Sequence, residues 1–171
     1  IDAPDKIKVV GNLPYYITTP IIEYLIENRS YIGPMVIMVQ REFANRLLAG
    51  SGTEDYSSLS CFVQYYTKPV YIHTVKRTSF YPEPDVDSSL VRLEMLEEPS
   101  VRVNSESLLF KIIRGSFNQR RKSIINSLSR EEVLNMPKDE LSGVLRRLNI
   151  DPTIRPEMLS LSEFTSIANA L

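Results

Sequence analysis

The sequence predicts an α/β domain followed by a small all-helical one, and three observations carry that reading. Apolar runs of strand length alternate with helical patterns as far as residue 66. Two further strand-like runs are then joined by a proline-rich loop, as in an antiparallel pair at a sheet edge. Past Glu97-Glu98-Pro99 every remaining periodicity is helical. The change of character near residues 98 to 104 gives expected domains of residues 1–100 and 101–171.

Taken in order, residues 8–10 have the make-up of a short buried strand. Thr18-Thr19-Pro20 then supplies a hydroxyl cap and a proline at the first helical position, and Ile21, Ile22, Leu25 and Ile26 carry the helix to about Asn28. Residues 35–39 are a continuous apolar run, the pattern of a parallel strand covered on both faces. Residues 41–49 read as a helix closed by Gly50, and residues 57–66 as another. Residues 70–75 and 90–96 look like strands, the second alternating Val91, Leu93 and Met95 with Arg92 and Glu94. In the second domain Leu108, Leu109, Ile112, Ile113 and Phe117 recur at helical spacing. Ser129 to Glu132 and Ser160 to Glu163 have the form of capping boxes, and Gly143 sits inside a further helical stretch.

Of 171 residues 43% are hydrophobic and 24% charged, the balance of a globular chain rather than a disordered or fibrous one. No apolar run approaches the ~20 residues that a membrane-spanning helix needs, and no charged-then-apolar leader opens the chain. A net charge of −1 gives no global sign of a nucleic-acid partner, although a local basic patch would suffice to neutralise phosphates. Cys61 is the only cysteine, which rules out an internal disulfide and points to a reducing, cytoplasmic setting. With one histidine, His73, neither a zinc site nor a Ser-His-Asp arrangement is expected. The six glycines form no Gly-x-Gly-x-x-Gly loop for a cofactor. A half sheet with one raw edge strand adds the expectation that the chain begins in the middle of a domain.

Residues 11–16 read Gly-Asn-Leu-Pro-Tyr-Tyr, directly after the apolar run at residues 7–10. An amide, a proline and aromatic rings at a strand end make either a simple turn or a place where something planar is held. Phe80, in the proline loop at residues 79–88, is either a core aromatic or a second flat surface, burial being the commoner fate. Arg120, Arg121 and Lys122 follow one another on what reads as a helix from Phe117 to Ser123, so they spread over most of its circumference. They form either a solvated face or a phosphate-contacting ridge, to which Arg114, Arg146 and Arg147 would add. Asp85 and Asp87 flank Val86, where aspartates more often cap nearby amides than do acid–base work.

Asn12-Leu13-Pro14-Tyr15 resembles the catalytic motif of methyltransferases that modify the exocyclic nitrogen of adenine, and Val10-Gly11 and residues 17–20 narrow the likeness. Residues 40–47, Tyr56 to Leu59, Gln64-Tyr65-Tyr66, the pattern Phe80-x-Pro82-x-Pro84-x-Val86-Asp87-Ser88, and residues 117–122 extend it. From Asn12 to its last residue the chain resembles the ribosomal RNA adenine dimethyltransferase family of the KsgA type. The resemblance implies the C-terminal half of a Rossmann-like S-adenosylmethionine-dependent methyltransferase domain plus a small helical RNA-binding domain. It also implies dimethylation of two adjacent adenines near the 3′ end of 16S rRNA within the small ribosomal subunit, in subunit biogenesis. Asn12, Leu13, Pro14 and Tyr15 are the catalytic residues it implies, with Tyr15 and Phe80 stacking on the base and Arg120, Arg121 and Lys122 holding RNA. Asn12 also borders the cofactor, and the rest of the cofactor site precedes residue 1, so this chain alone is expected to bind S-adenosylmethionine weakly and to be inactive.

The chemistry agrees. An adenine amino group is a poor nucleophile because its lone pair is delocalised into the ring, so two acceptors aimed at its protons would favour a more tetrahedral nitrogen. The Asn12 side-chain oxygen and the Leu13 carbonyl can supply them, with Pro14 stiffening the turn and no base of unusual pKa required. Tyr16 departs from the family, in which a smaller polar residue commonly follows the motif. The alternatives are a macrolide-resistance type 23S rRNA adenine methyltransferase, which shares the four-residue motif, and a non-catalytic ribosome-assembly module. Residues 117–127 and the run Leu148-Asn-Ile-Asp-Pro152 favour the dimethyltransferase over the first, and the intact motif argues against the second.

Overall fold

The computed structural model describes residues 6–119 and 121–171, so Arg120 lies outside the described residues. The chain divides into two compact units, Ile1–Leu48 with Val63–Ser100, and Ala49–Phe62 with Val101–Leu171.

The first unit is built on a four-stranded sheet in the order β1-β2-β4-β3. β1 (Ile7–Asn12) runs parallel to β2 (Ile32–Gln40), joined by α1 (Thr18–Glu27), the crossover that parallel neighbours require. β4 (Ser88–Met95) pairs antiparallel with β2 on one side and with β3 (Thr67–Val75) on the other. The expected antiparallel pair is therefore present, with β3 at the edge. Pro69 is tolerated there because an edge strand leaves one row of backbone groups unpaired, and Lys68 and His73 are exposed on it together with Tyr71 and Ile72. The opposite edge is β1, whose Ile7 and Val10 are exposed.

β2 is longer than its apolar run, because Pro34 falls where the register with β1 slips between Ile7↔Ile32 and Val9↔Met35, before the pairing with β4 begins. It is not covered equally on both faces: Met35, Ile37 and Val39 are fully buried, whereas Val36 and Met38 are only half-buried. The core is completed by Val91 and Leu93 of β4, Ile22 and Ile26 of α1, and Phe43, Ala44 and Leu47 of α2 (Arg41–Leu48). The threonines expected to cap α1 do not cap it. The Thr18 hydroxyl donates back to the carbonyl of Pro14 at 3.0 Å, and Pro20 falls third in the helix, where the missing N–H had no intrahelical partner to lose.

α3 (Ser58–Tyr66) follows, and the division between the units falls within it. The second unit contains α4 (Glu106–Phe117), α5 (Ile124–Leu128), α6 (Lys138–Arg147) and α7 (Leu161–Asn169). Ser105 caps α4 by accepting from Leu108 N–H at 3.2 Å, and α7 begins with the expected capping box of Ser160 and Glu163. Its core joins Leu109, Ile112 and Ile113 to the rings of Tyr56, Phe117 and Phe164, the last two with centroids 6.0 Å apart.

Two expectations fail in this unit. Residues 129–132 form turns, not a capped helix: the Arg130 carbonyl accepts from the N–H groups of Val133, Leu134 and Asn135, and Asn135 closes the turn at φ 51°. The helix carrying Phe117 also ends at that residue, so Asn118, Gln119, Arg121 and Lys122 are not helical. Asn118 closes α4, and Lys122 N–H donates to the Gln119 carbonyl at 2.8 Å in a separate turn.

Candidate functional site

In the first unit β1 delivers Asn12 as its last residue, beside Met38 of β2. The chain leaves the sheet at Leu13, whose N–H donates to the Met38 carbonyl at 3.0 Å and whose side chain is buried. Asn12, Pro14, Tyr15 and Tyr16 are exposed. The Pro14 carbonyl accepts from Ile17 N–H at 3.2 Å and from the Thr18 hydroxyl at 3.0 Å, so the turn closes on its own groups. The Asn12 side-chain amide and the Leu13 carbonyl are used by no hydrogen bond among the described residues. Two polar groups on consecutive residues are thus left without a partner among the described residues, at the carboxyl end of a parallel strand, the end at which α/β sheets bind ligands.

Tyr15 opens a short 3-10 turn, Tyr15–Ile17, and its hydroxyl lies 2.8 Å from Ser88 Oγ. Ser88 is fully buried at the start of β4, paired with Gln40 of β2 and Val75 of β3. Tethered there, Tyr15 keeps 36% of its surface open.

Asp87 gathers the neighbouring chain around itself. Its carboxylate accepts from Arg77 N–H at 3.0 Å and lies 3.4 Å from Arg41 Nη1 and 3.5 Å from Lys76 Nζ, while its carbonyl accepts from Arg41 N–H at 3.0 Å. The Arg77 N–H above all, and then the Lys76 ammonium, hold the acid below its ordinary range against a smaller opposing effect of burial. These contacts cinch both ends of the β3–β4 loop that carries Phe80. Phe80 is half-buried and donates its N–H to the Arg77 carbonyl at 3.2 Å. The sheet register thus brings Asn12, Tyr15 and the Phe80 loop to one end of the sheet. Asp87 and Ser88 stood inside the proline-loop pattern, but nothing in the pattern disclosed which amide and which hydroxyl they serve.

In the second unit Arg121 and Lys122 are exposed and line a groove of about 500 Å³ with Phe117, Asn118 and Gln119. They present their charges from a turn, which aims them by backbone geometry rather than spreading them around a helix. Arg114 of α4 and Arg146 and Arg147 of α6 are exposed as well. Among the described residues no cluster of His, Cys, Asp or Glu could hold a metal ion, and no helix is long and apolar enough to cross a membrane.

Comparison with known proteins identifies the family. A family model described as ribosomal RNA adenine dimethylase matches residues 2–170. A ribosomal RNA small subunit methyltransferase A of Geobacillus sp. (strain WCH70) is 47% identical over 170 residues, which cover 96% of this chain and 57% of that protein. The chain thus spans little more than half the length of the curated relatives it matches. A dimethyladenosine transferase from Plasmodium falciparum superposes with a TM-score of 0.80 at 30% identity, covering 95% of this chain and 66% of that one. The 23S rRNA methyltransferase ErmE shares the fold, with a TM-score of 0.71 at 22% identity over 98% of this chain and 66% of its own.

Proposed function

Since the chain belongs to the ribosomal RNA adenine dimethylase family, we propose that the complete protein dimethylates the N6 amino groups of two adjacent adenines near the 3′ end of 16S rRNA. The reaction takes place in the cytoplasm during assembly of the small ribosomal subunit. The observation that carries this reading is the Asn12 amide next to the Leu13 carbonyl, both without a partner among the described residues, on a turn already closed by Pro14 and Thr18.

Each of these residues does one thing. The Asn12 oxygen and the Leu13 carbonyl accept from the two protons of the adenine amino group, on a turn whose backbone is closed before the base arrives. The Tyr15 ring stacks on a base taken out of its helix, an interaction worth roughly 1–3 kcal/mol, while its hydroxyl remains on Ser88. Phe80 approaches the same base from a loop that Asp87 holds shut. Arg121 and Lys122, with Arg120, contact RNA phosphates and position the substrate without reading its sequence. S-adenosylmethionine supplies an electrophilic methyl group for direct displacement. The exposed Asn12 amide, without a partner among the described residues, fits a residue bordering that cofactor.

The test uses the chain extended upstream to its natural start, S-adenosylmethionine, and small ribosomal subunits lacking the modification, with methylated adenines located by mass spectrometry of RNA fragments. Two neighbouring dimethyladenosines are the expected result. Modification of a single adenine in large-subunit RNA would replace this reading with the resistance-type activity. Subunit binding without any methylation would replace it with an assembly role.

A further inference from the structure

On the second unit, α4 and the turn at residues 130–133 enclose a groove of about 450 Å³. α4 presents Lys111 and Arg114, which lie three residues apart and so share a face, and the turn presents Arg130. Gly115 is what lets the two elements meet. A Cβ at that position would lie 2.6 and 2.7 Å from the Val133 methyls, so any larger residue would push the turn, and Arg130 with it, away from α4. Arg114 is steadied by its Nε donating to the Phe110 carbonyl at 3.3 Å, a contact that does not use its terminal nitrogens.

Lys111 and Arg114 pair with no carboxylate among the described residues. Arg130 Nη2 lies 2.9 Å from Glu132 Oε2, but that carboxylate side chain is 71% exposed, so the pair is weak and easily exchanged for a multiply accepting anion. Three cations against one carboxylate make a concentrated positive surplus in a chain whose net charge is −1. Asn118 borders both this groove and the one lined by Arg121 and Lys122. Between Lys111 and Asn118 the helix rises roughly 10 Å, enough for more than one phosphate of a nucleic-acid strand.

We propose that the groove of Lys111, Arg114 and Arg130 is a second phosphate-binding site, which continues the RNA path from Arg121 and Lys122 along α4. This rests on the reading of the protein as one that acts on RNA. Glu132 is the element of restraint: it occupies Arg130 until a phosphate displaces it, and so weakens binding to RNA that does not reach the groove.

The complete protein is titrated with a labelled short RNA duplex over a series of salt concentrations, alongside the double variant Lys111→Gln, Arg114→Gln and the single variant Glu132→Gln. Each phosphate contact contributes roughly 0.9 to the slope of log affinity against log salt. The double variant is therefore expected to show a slope shallower by roughly 1.5–2, and Glu132→Gln a tighter complex. Slopes and affinities unchanged in both variants would overturn the proposal. Should the double variant fail to fold, the direction of the Glu132→Gln effect decides alone. Because the readout is binding, absence of methylation by the unaltered protein would overturn the proposed activity and leave the groove standing, whereas methylation with unchanged slopes would overturn the groove alone.

Discussion

Tyr15 has two ends with different obligations. Its hydroxyl meets a fully buried serine, and its ring is left in part to solvent. In the complete protein Tyr15→Phe keeps the ring but strands Ser88 Oγ, so a stability loss of about 1–2 kcal/mol is expected in chemical denaturation, with methylation largely retained. Tyr15→Ala removes the stacking surface too, and should lower kcat/KM on subunits by roughly 10- to 100-fold. Asn12→Ala removes an exposed side chain that has no partner among the described residues. It should leave the melting temperature and RNA binding intact while methylation falls by at least about 100-fold, and equal loss of binding and methylation would overturn its catalytic assignment. Asp87 gives a pH signature. Its folded-state acid is held below the ordinary 3.8, so the stabilisation it gives the loop is fully present above that value and is lost as pH falls through the lower one. Proteolysis of the loop at residues 76–87 should rise in acid, and Asp87→Asn should be cleaved similarly at neutral and acidic pH. Of all this the sequence made legible the residues that face outward, since Asn12 and Tyr15 sit in a short contiguous motif. It concealed the tethers, because Ser88 and Arg77 are distant from the groups they serve and are joined to them only by sheet register.

Among the elements, those legible in advance are those whose signal is local. Ser160 and Glu163 are three residues apart and need nothing else to cap α7, so the pattern and the structure agree. Ser129 to Glu132 carries the same pattern and makes no helix. The apolar side chain that follows, Val133, is drawn instead against Gly115, and Asn135 adopts a left-handed conformation that ends the segment in a turn. The decisive contact lies on another helix, where the local pattern cannot register it. Gly115→Ala is the substitution that tests this contact, since a methyl group would collide with Val133. It should destabilise the complete protein by about 1–3 kcal/mol despite the better helix propensity of alanine, and Val133→Ala should recover part of the loss by making room. Thermal or urea unfolding of the single and double variants measures both. The cations Arg121 and Lys122 show the same limit: nothing between Phe117 and Ser123 is a glycine or a proline to signal a helix end, yet Lys122 N–H turns back to the Gln119 carbonyl.

For the whole molecule, the passage from mixed to purely helical character marks the last change of unit along the chain, after Ser100. The excursion of Ala49–Phe62 into the helical unit left no compositional trace, because a segment can contribute to a second core by lending one ring, as Tyr56 does to Phe117 at 5.7 Å. That excursion carries Cys61 with it. The thiol is fully buried and donates to the Tyr56 hydroxyl at 3.1 Å; burial pushes it up to about 12, so hardly any reactive thiolate exists at neutral pH. The chain has no other sulfhydryl to compete for reagent. A maleimide added to the native protein therefore counts openings of the helical core rather than collisions with its surface, and its uptake, followed as added mass, turns one sulfur into a clock for how often that core admits solvent.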